Sequence, residues 1–413
     1  MTRHHLPALL SPALALLLAS GCVIIADGTT DTAGESSSDS DSDSDSDGGE
    51  ALLELDGACG AMGVGDDLAV ITTDFVSGGV SVAHADMSVD VDVATATTDT
   101  VAIGHGGDLY LVHRYGTNRI DVADAGDWSI RASYDVTVDG VAEPNPQALV
   151  FAGAGDNSGL GVLTLLGAPE IQLLDLAGDA PTKVGSVDIS AFADADGNPE
   201  AGAAIACGSI VVVGVQRLDP NFLPVDSSYL IAVDTATEAA IDLDPDTEGL
   251  QGLELAGAWP RQLRADPGDP SGETILVLTS GIERIHVPTM TRSWAVDAAD
   301  LEAVGVAGFA PQGFVTDAAG GVAYLIATDG VWPASAVWRL SLDDENPSAP
   351  EKIISGLVTN DNTLERVGDQ LWVGDANPAA SGMRVWDLAQ DPPLELTSSP
   401  LGTGLPPYTV AKI

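Results

Sequence analysis

The chain has 413 residues, with 62 acids against 15 bases and a net charge of −47. Such a surface repels nucleic acid and anionic lipid head groups, which removes both as partners and leaves cations and cationic partners as the better-matched ones. Plain solubility of an exported protein explains the same acidity without any partner.

In chain order, residues 1–21 read as an export signal: Arg3 with His4 and His5, an apolar run from Leu6 to Leu18, then the small residues Ala19-Ser20-Gly21 before Cys22. The run is too short for a stable membrane span. The Ser-Gly-Cys ending resembles the bacterial lipobox, which implies that Cys22 is lipidated and becomes the mature N-terminus. Ala19 stands where that pattern prefers Leu, and Leu18 lies one place further back. Val23 after the cysteine implies the outer membrane or cell surface as destination. Residues 22–50 follow as an acidic tether with Ser-Asp alternation from Ser38 to Asp47, which has nothing apolar to bury and repels itself into extended forms. The lipid would be the only contact with the membrane.

Residues 51–413 read as one all-β domain with 53 acids against 14 bases. A strand-turn-strand unit recurs at Leu68 to Asp86, Asp108 to Asp124, Leu160 to Asp175, Ser209 to Asp234, Thr274 to Val287, Val322 to Asp343 and Gln370 to Asp387. Their spacing of roughly 40–65 residues lies in the range of solenoids, propellers and arrays. Pro-led segments precede several units (Pro146 to Val150, Pro260 to Leu263, Pro311 to Val315), and looser strands follow others (Ser129 to Val136, Lys183 to Ile189, Lys352 to Val358). Four strands per unit predict a β-propeller of seven blades, with six or eight as alternatives. The last residues, Pro407 to Ile413, repeat the Pro-led strand with no unit after them, so they are expected to close the ring against the segment from Ala51 to Val70. Asp124, Asp175, Asp234 and Asp387 close their units, where a carboxylate can accept the backbone N–H two residues on and set a turn.

The candidate sites lie in the turns. Asp194, Asp196, Asn198 and Glu200 alternate around Gly197 in a way that resembles a calcium loop, making calcium the one cofactor the sequence suggests. The twelve-residue spacing is missing and Pro199 interrupts the rhythm, so an Asx-rich surface turn is the alternative. His113-Arg114 and Gln216-Arg217 end the same strand of two units and form a candidate ligand-binding rim, able to clamp a carboxylate or sugar or simply to neutralise nearby acids. Cys59 and Cys207 are the remaining pair once Cys22 is lipidated. Both stand in Ala-Cys-Gly before a strand, which suggests equivalent places on well-separated blades, beyond the ~7 Å a disulfide spans, and favours two buried free thiols. The chain has no Gly-x-Ser-x-Gly, His-Glu-x-x-His or Cys-x-x-Cys motif, so no catalytic residue is assigned.

The segments DLYLVHRYGTNRIDVAD and SSYLIAVDTAT resemble YVTN-type (YncE-like) β-propeller repeats. Resemblance to that family implies a fold and no activity. The function expected at this point is an envelope lipoprotein whose propeller binds a protein, glycan or small molecule without catalysis. The alternative is a propeller hydrolase or lactonase resembling the gluconolactonase-like ring enzymes, which requires charged residues of several blades, or a metal, clustered at the channel mouth. A structural envelope role would instead show a large apolar patch.

Overall fold

The computed structural model describes residues 51–60, 65–153, 159–225, 227–306, 311–343 and 348–413. The signal segment, the Cys22 lipidation site and the tether lie outside these residues.

Seven antiparallel sheets follow one another along the chain, with strands in sequence order from the inside out except in blade 1, whose innermost strand is the last of the chain. Blade 2 is representative, with strands Thr100–His105, Asp108–His113, Arg119–Asp124 and Ile130–Asp135. The innermost strands, from blade 1 to blade 7, are Pro407–Lys412, Thr100–His105, Pro146–Ala152, Ala201–Cys207, Gln262–Ala265, Pro311–Thr316 and Leu364–Val367. The chain is a seven-bladed β-propeller. Blade 4, which begins with Ala201–Cys207, carries a short fifth strand at Leu253–Glu254. One short helix, Ala298–Ala303, capped by Asp297 accepting Ala299 N–H, links blades 5 and 6.

The ring closes as the sequence predicts. Pro407–Lys412 pairs antiparallel with Leu68–Thr73, aligning Leu68 with Lys412 and Val70 with Val410. Inner strands approach tightly beside this seam: a Cβ on Gly104 would stand 2.8 Å from the Ile413 Cα, so glycine is required there.

The second strand of each blade is an unbroken apolar run because both of its faces are buried. In blade 1, Leu68 and Val70 pack on blade 7 with Trp372 and Val385, while Ala69 and Ile71 pack on blade 2 with Leu109 and Leu111. The same division gives seven hydrophobic wedges, one between each pair of neighbouring blades, in place of a single central core. The closing aspartates are turn formers: Asp124, Asp175, Asp234 and Asp387 accept N–H groups from Gly126, Ala177, Ala236 and Ala389 at 2.7 to 2.9 Å.

Cys59 and Cys207 form a disulfide, with Cα atoms 3.9 Å apart. This overturns the expectation of free thiols, because Cys59 does not belong to blade 1. Residues 52–60 run along the lower edge of blades 4 and 5, where Leu53 N–H donates to Pro288, Cys59 N–H to Gly272 and Gly60 N–H to Ala206. Asp56 accepts Ser209 N–H at 2.6 Å. The segment reaches blade 1 only afterwards, so the two cysteines are neighbours on one blade edge.

Candidate functional site at the channel mouth

All inner strands begin on one face of the ring, and the turns joining second to third strands lie on the same face. Residues flanking those strand starts therefore converge on the axis whatever their separation in sequence. Arg114, in the blade 2 turn, donates through Nε to Asp99 Oδ1 at 2.7 Å and through Nη2 to the Tyr408 hydroxyl of blade 1 at 2.8 Å. Its Nη2 lies 3.8 Å from the carboxylate of Asp361, which precedes the inner strand of blade 7. The Tyr408 hydroxyl donates in turn to Asp99 at 3.2 Å. Arg261, at the start of the blade 5 inner strand, stacks 3.8 Å over the Trp259 ring and donates to the Pro311 carbonyl of blade 6. Thr359 donates to Gln312 of blade 6 at 2.7 Å.

Asp361 is distinctive in this group. Burial pushes its carboxyl above the ordinary carboxylate range, against the pull of Arg114 and Arg261, yet its side chain keeps 40% exposure. At 40% exposure the side chain can be reached by solvent. Burial also pushes the Tyr408 phenol up, so it stays protonated. Burial alone would weaken the Arg114 charge, but Tyr408, Asp99 and Asp361 outweigh it and hold the guanidinium cationic. Below the mouth, Arg264 of blade 5 bonds Glu365 of blade 7 at 3.0 Å. Blade 6 stands between those blades, so this pair joins the inner strands of two non-adjacent blades.

The sequence candidates divide. Arg114 belongs to the site. His113 does not face the rim: it is 1% exposed and locked between Thr100 Oγ1 and Asp121, both at 2.9 Å, and burial lowers its basicity despite Asp121. Gln216 is buried, lying where a Cβ on Gly202 would fall. Arg217 stacks over Tyr229, 5.4 Å from its centroid, in a different turn from Arg114.

The calcium candidates form successive Asx turns. Asp194 accepts Asp196 N–H at 3.1 Å and Asp196 accepts Asn198 N–H at 2.8 Å. The Glu200 carboxylate points inward, accepting Asn198 Nδ2 at 2.9 Å and Leu218 N–H at 3.0 Å. Among the described residues no three His, Cys, Asp or Glu side chains gather as a metal site.

Two surface clefts lie away from the axis. One of about 460 Å³ brings together Asp66, Asp369 and Asp387 with no cation among its lining residues. One of about 210 Å³ lies between the Asp196–Glu200 turn and Phe222. Neither combines acid, cation and hydroxyl as the channel mouth does.

No family model and no curated protein matches this chain. Solved structures match its fold. A proposed 6-phosphogluconolactonase from Bacteroides uniformis shares 11% identity over 84% of this chain and 100% of its own, with a TM-score of 0.58. The periplasmic gluconolactonase of Pseudomonas aeruginosa shares 13% over 84% and 98%, with a TM-score of 0.57. A quinoprotein alcohol dehydrogenase-like protein from Bacteroides thetaiotaomicron shares 15% over 84% and 78%, with a TM-score of 0.54.

At such identities the likeness shows a propeller and no more. The expectation of a binding platform without catalysis is corrected on this point: propellers named as lactonases stand among the fold's neighbours, so the fold gives no ground for setting catalysis aside. The convergence of charged residues from several blades at the mouth is the feature that the alternative, a propeller hydrolase, required. Asp99, Arg261, Asp361 and Tyr408 escaped the sequence reading. Their signal was positional: Pro260-Arg261 and Pro407-Tyr408 hold the same place at the start of Pro-led inner strands.

Proposed function

We propose that this chain is a lactonase-like hydrolase acting at the channel mouth, with Asp361 as general base. The observation that carries this reading is Asp361 itself, a solvent-reachable carboxylate raised by burial and set beside the Arg114 guanidinium. A raised carboxylate is a better base near neutrality.

In the proposed reaction Asp361 takes a proton from water as the water oxygen bonds the lactone carbonyl carbon. The resulting oxyanion is met by the N–H groups of Arg114, a fixed positive group in a confined site. Collapse breaks the acyl C–O bond of the ring, and the leaving alkoxide recovers the proton from Asp361. The products are a hydroxy-carboxylate and one proton released to solvent. Tyr408 and Asp99 act by positioning Arg114.

The test is acid release from simple lactones by the purified full chain. Asp361→Asn is expected to lower kcat by about 10²–10⁴, and Arg114→Met by about 10²–10³. Wild-type rates equal to the buffer background, or full activity in Asp361→Asn, would remove the proposal.

The same reading includes an exported lipoprotein with YVTN-like repeats, anchored through Cys22 and held off the membrane by its acidic spacer. Mass spectrometry of the mature N-terminus checks the lipid.

A further inference from the structure

We propose that the substrate is an uncharged lactone bearing an apolar arm, an inference that rests on the lactonase reading above. Two independent observations lead to it, one from charge and one from exposed rings.

The charge ledger at the mouth is balanced from within. Arg114 is matched by Asp99, Asp361 lies between the influence of Arg114 and Arg261, and Arg264 is paired with Glu365. A phosphate or carboxylate on the substrate would compete with these acids for the same guanidiniums. It would also approach a domain holding 53 acids against 14 bases. That field disfavours entry of an anion and favours its departure. An uncharged lactone suits both halves of the reaction, since hydrolysis turns it into an anion that the same field expels.

The second observation is a set of exposed apolar side chains on the face of the ring that carries the site. Phe75 (45% exposed), Val76 (85%), Tyr115 (58%), Phe222 (40%), Val225 (53%) and Val331 (77%) all stand on turns between second and third strands, on the face where the inner strands begin. Phe75 meets the site directly, its ring edge-on to Tyr408 with centroids 6.2 Å apart. The turn that presents it is held by design: Asp74 accepts N–H groups from Val76 and Ser77 at 2.9 and 2.7 Å, and Thr73 accepts Phe75 N–H at 2.9 Å. Phe75 has a φ of 62°, a left-handed conformation that is costly for a bulky residue. Backbone strain spent on keeping a phenyl ring half in solvent against Tyr408 has a purpose if the ring receives an apolar group.

The test compares kcat/KM of the full chain for δ-valerolactone, δ-nonalactone, glucono-δ-lactone and its 6-phosphate. The alkyl-bearing δ-nonalactone is expected to exceed unsubstituted δ-valerolactone by about tenfold to a hundredfold, with the phosphate ester slowest. Phe75→Ala is expected to bring the nonalactone-to-valerolactone ratio towards one while the thermal midpoint holds, a ratio that a folding defect would not change. Preference for either sugar lactone, or a ratio indifferent to Phe75, overturns this inference and leaves the lactonase reading standing. If the wild type turns over none of the four, the lactonase reading itself falls and this inference with it.

Discussion

Glu200 gives the most quantitative check on the structure. It is 6% exposed, and its carboxyl is raised from the ordinary 4.5 to about 7, first by burial and then by Asp196 and Asp194, against hydrogen bonds from Leu218 and Asn198. Because the folded state holds this proton more tightly than the unfolded chain, the contribution to stability is largest below pH 4.5 and is lost as pH rises through about 7. At 1.36 kcal/mol per unit the loss comes to about 3 kcal/mol. An unfolding entropy near 2.1 cal/mol/K per residue over the domain makes this roughly 4 °C in thermal midpoint. Glu200→Gln removes the titration. Its carbonyl can still accept Leu218 N–H, and its amide carries no charge across the range. The assay is thermal unfolding of both proteins from about pH 5 to about pH 8, read as a difference so that every other titrating group cancels. The midpoint of Glu200→Gln minus that of wild type should grow by roughly 3 °C across that range, because part of the loss already lies below pH 5. Parallel curves would show that Glu200 is charged and well solvated in the fold, and the packing of Asn198 and Leu218 against it would be wrong.

Other outcomes follow from features already described. Reducing the Cys59–Cys207 bridge, which closes a sequence separation of 148, should lower stability by up to about 5 kcal/mol; an unchanged midpoint in reductant would contradict its presence. His113→Leu removes one hydrogen bond each from Thr100, which keeps Thr97, and Asp121, which keeps Ser133 and Arg119, and should cost about 1 kcal/mol. It should also weaken acid sensitivity, since a His of lowered basicity stabilises above its unfolded value and loses that stabilisation as pH falls; denaturant midpoints at two pH values measure both. Calcium and then EDTA should leave the thermal midpoint within about 1 °C, because Asp194 and Asp196 are already engaged with their own backbone. A saturable rise would restore the calcium loop.

The fold was legible because each blade states its pattern locally. An unbroken run such as Ile210–Val215 is what a strand buried on both faces must be, and the closing aspartates fix turns within three residues of themselves. Closure was legible for the same reason, as Pro407 to Ile413 carries the inner-strand pattern with no blade of its own. The channel mouth was not. Asp99, Arg261, Asp361 and Tyr408 meet only because the ring brings distant strand starts to one axis, and no short motif encodes that meeting. His113 misled because a polar residue at a strand end has the same sequence signature whether it faces solvent or caps a buried Asp121. The disulfide misled because an Ala-Cys-Gly context was taken for a repeat position, whereas Cys59 lies in a segment docked on another blade.

That docked segment also determines how the molecule carries load. Force arriving along the chain from upstream of Leu52 passes through residues 52–59 and then into the inner strand of blade 4 by a covalent bond at Cys207. The seam between Leu68–Thr73 and Pro407–Lys412, held only by hydrogen bonds and side-chain packing, lies downstream of that anchor and is spared the pull. Without the bridge the same tension would reach Leu68 and peel the ring open one ladder bond at a time. With it, the ring acts as a washer fixed by a rivet opposite its slit, and a steady or repeated tug on the leader is borne by a sulfur–sulfur bond and not by the join.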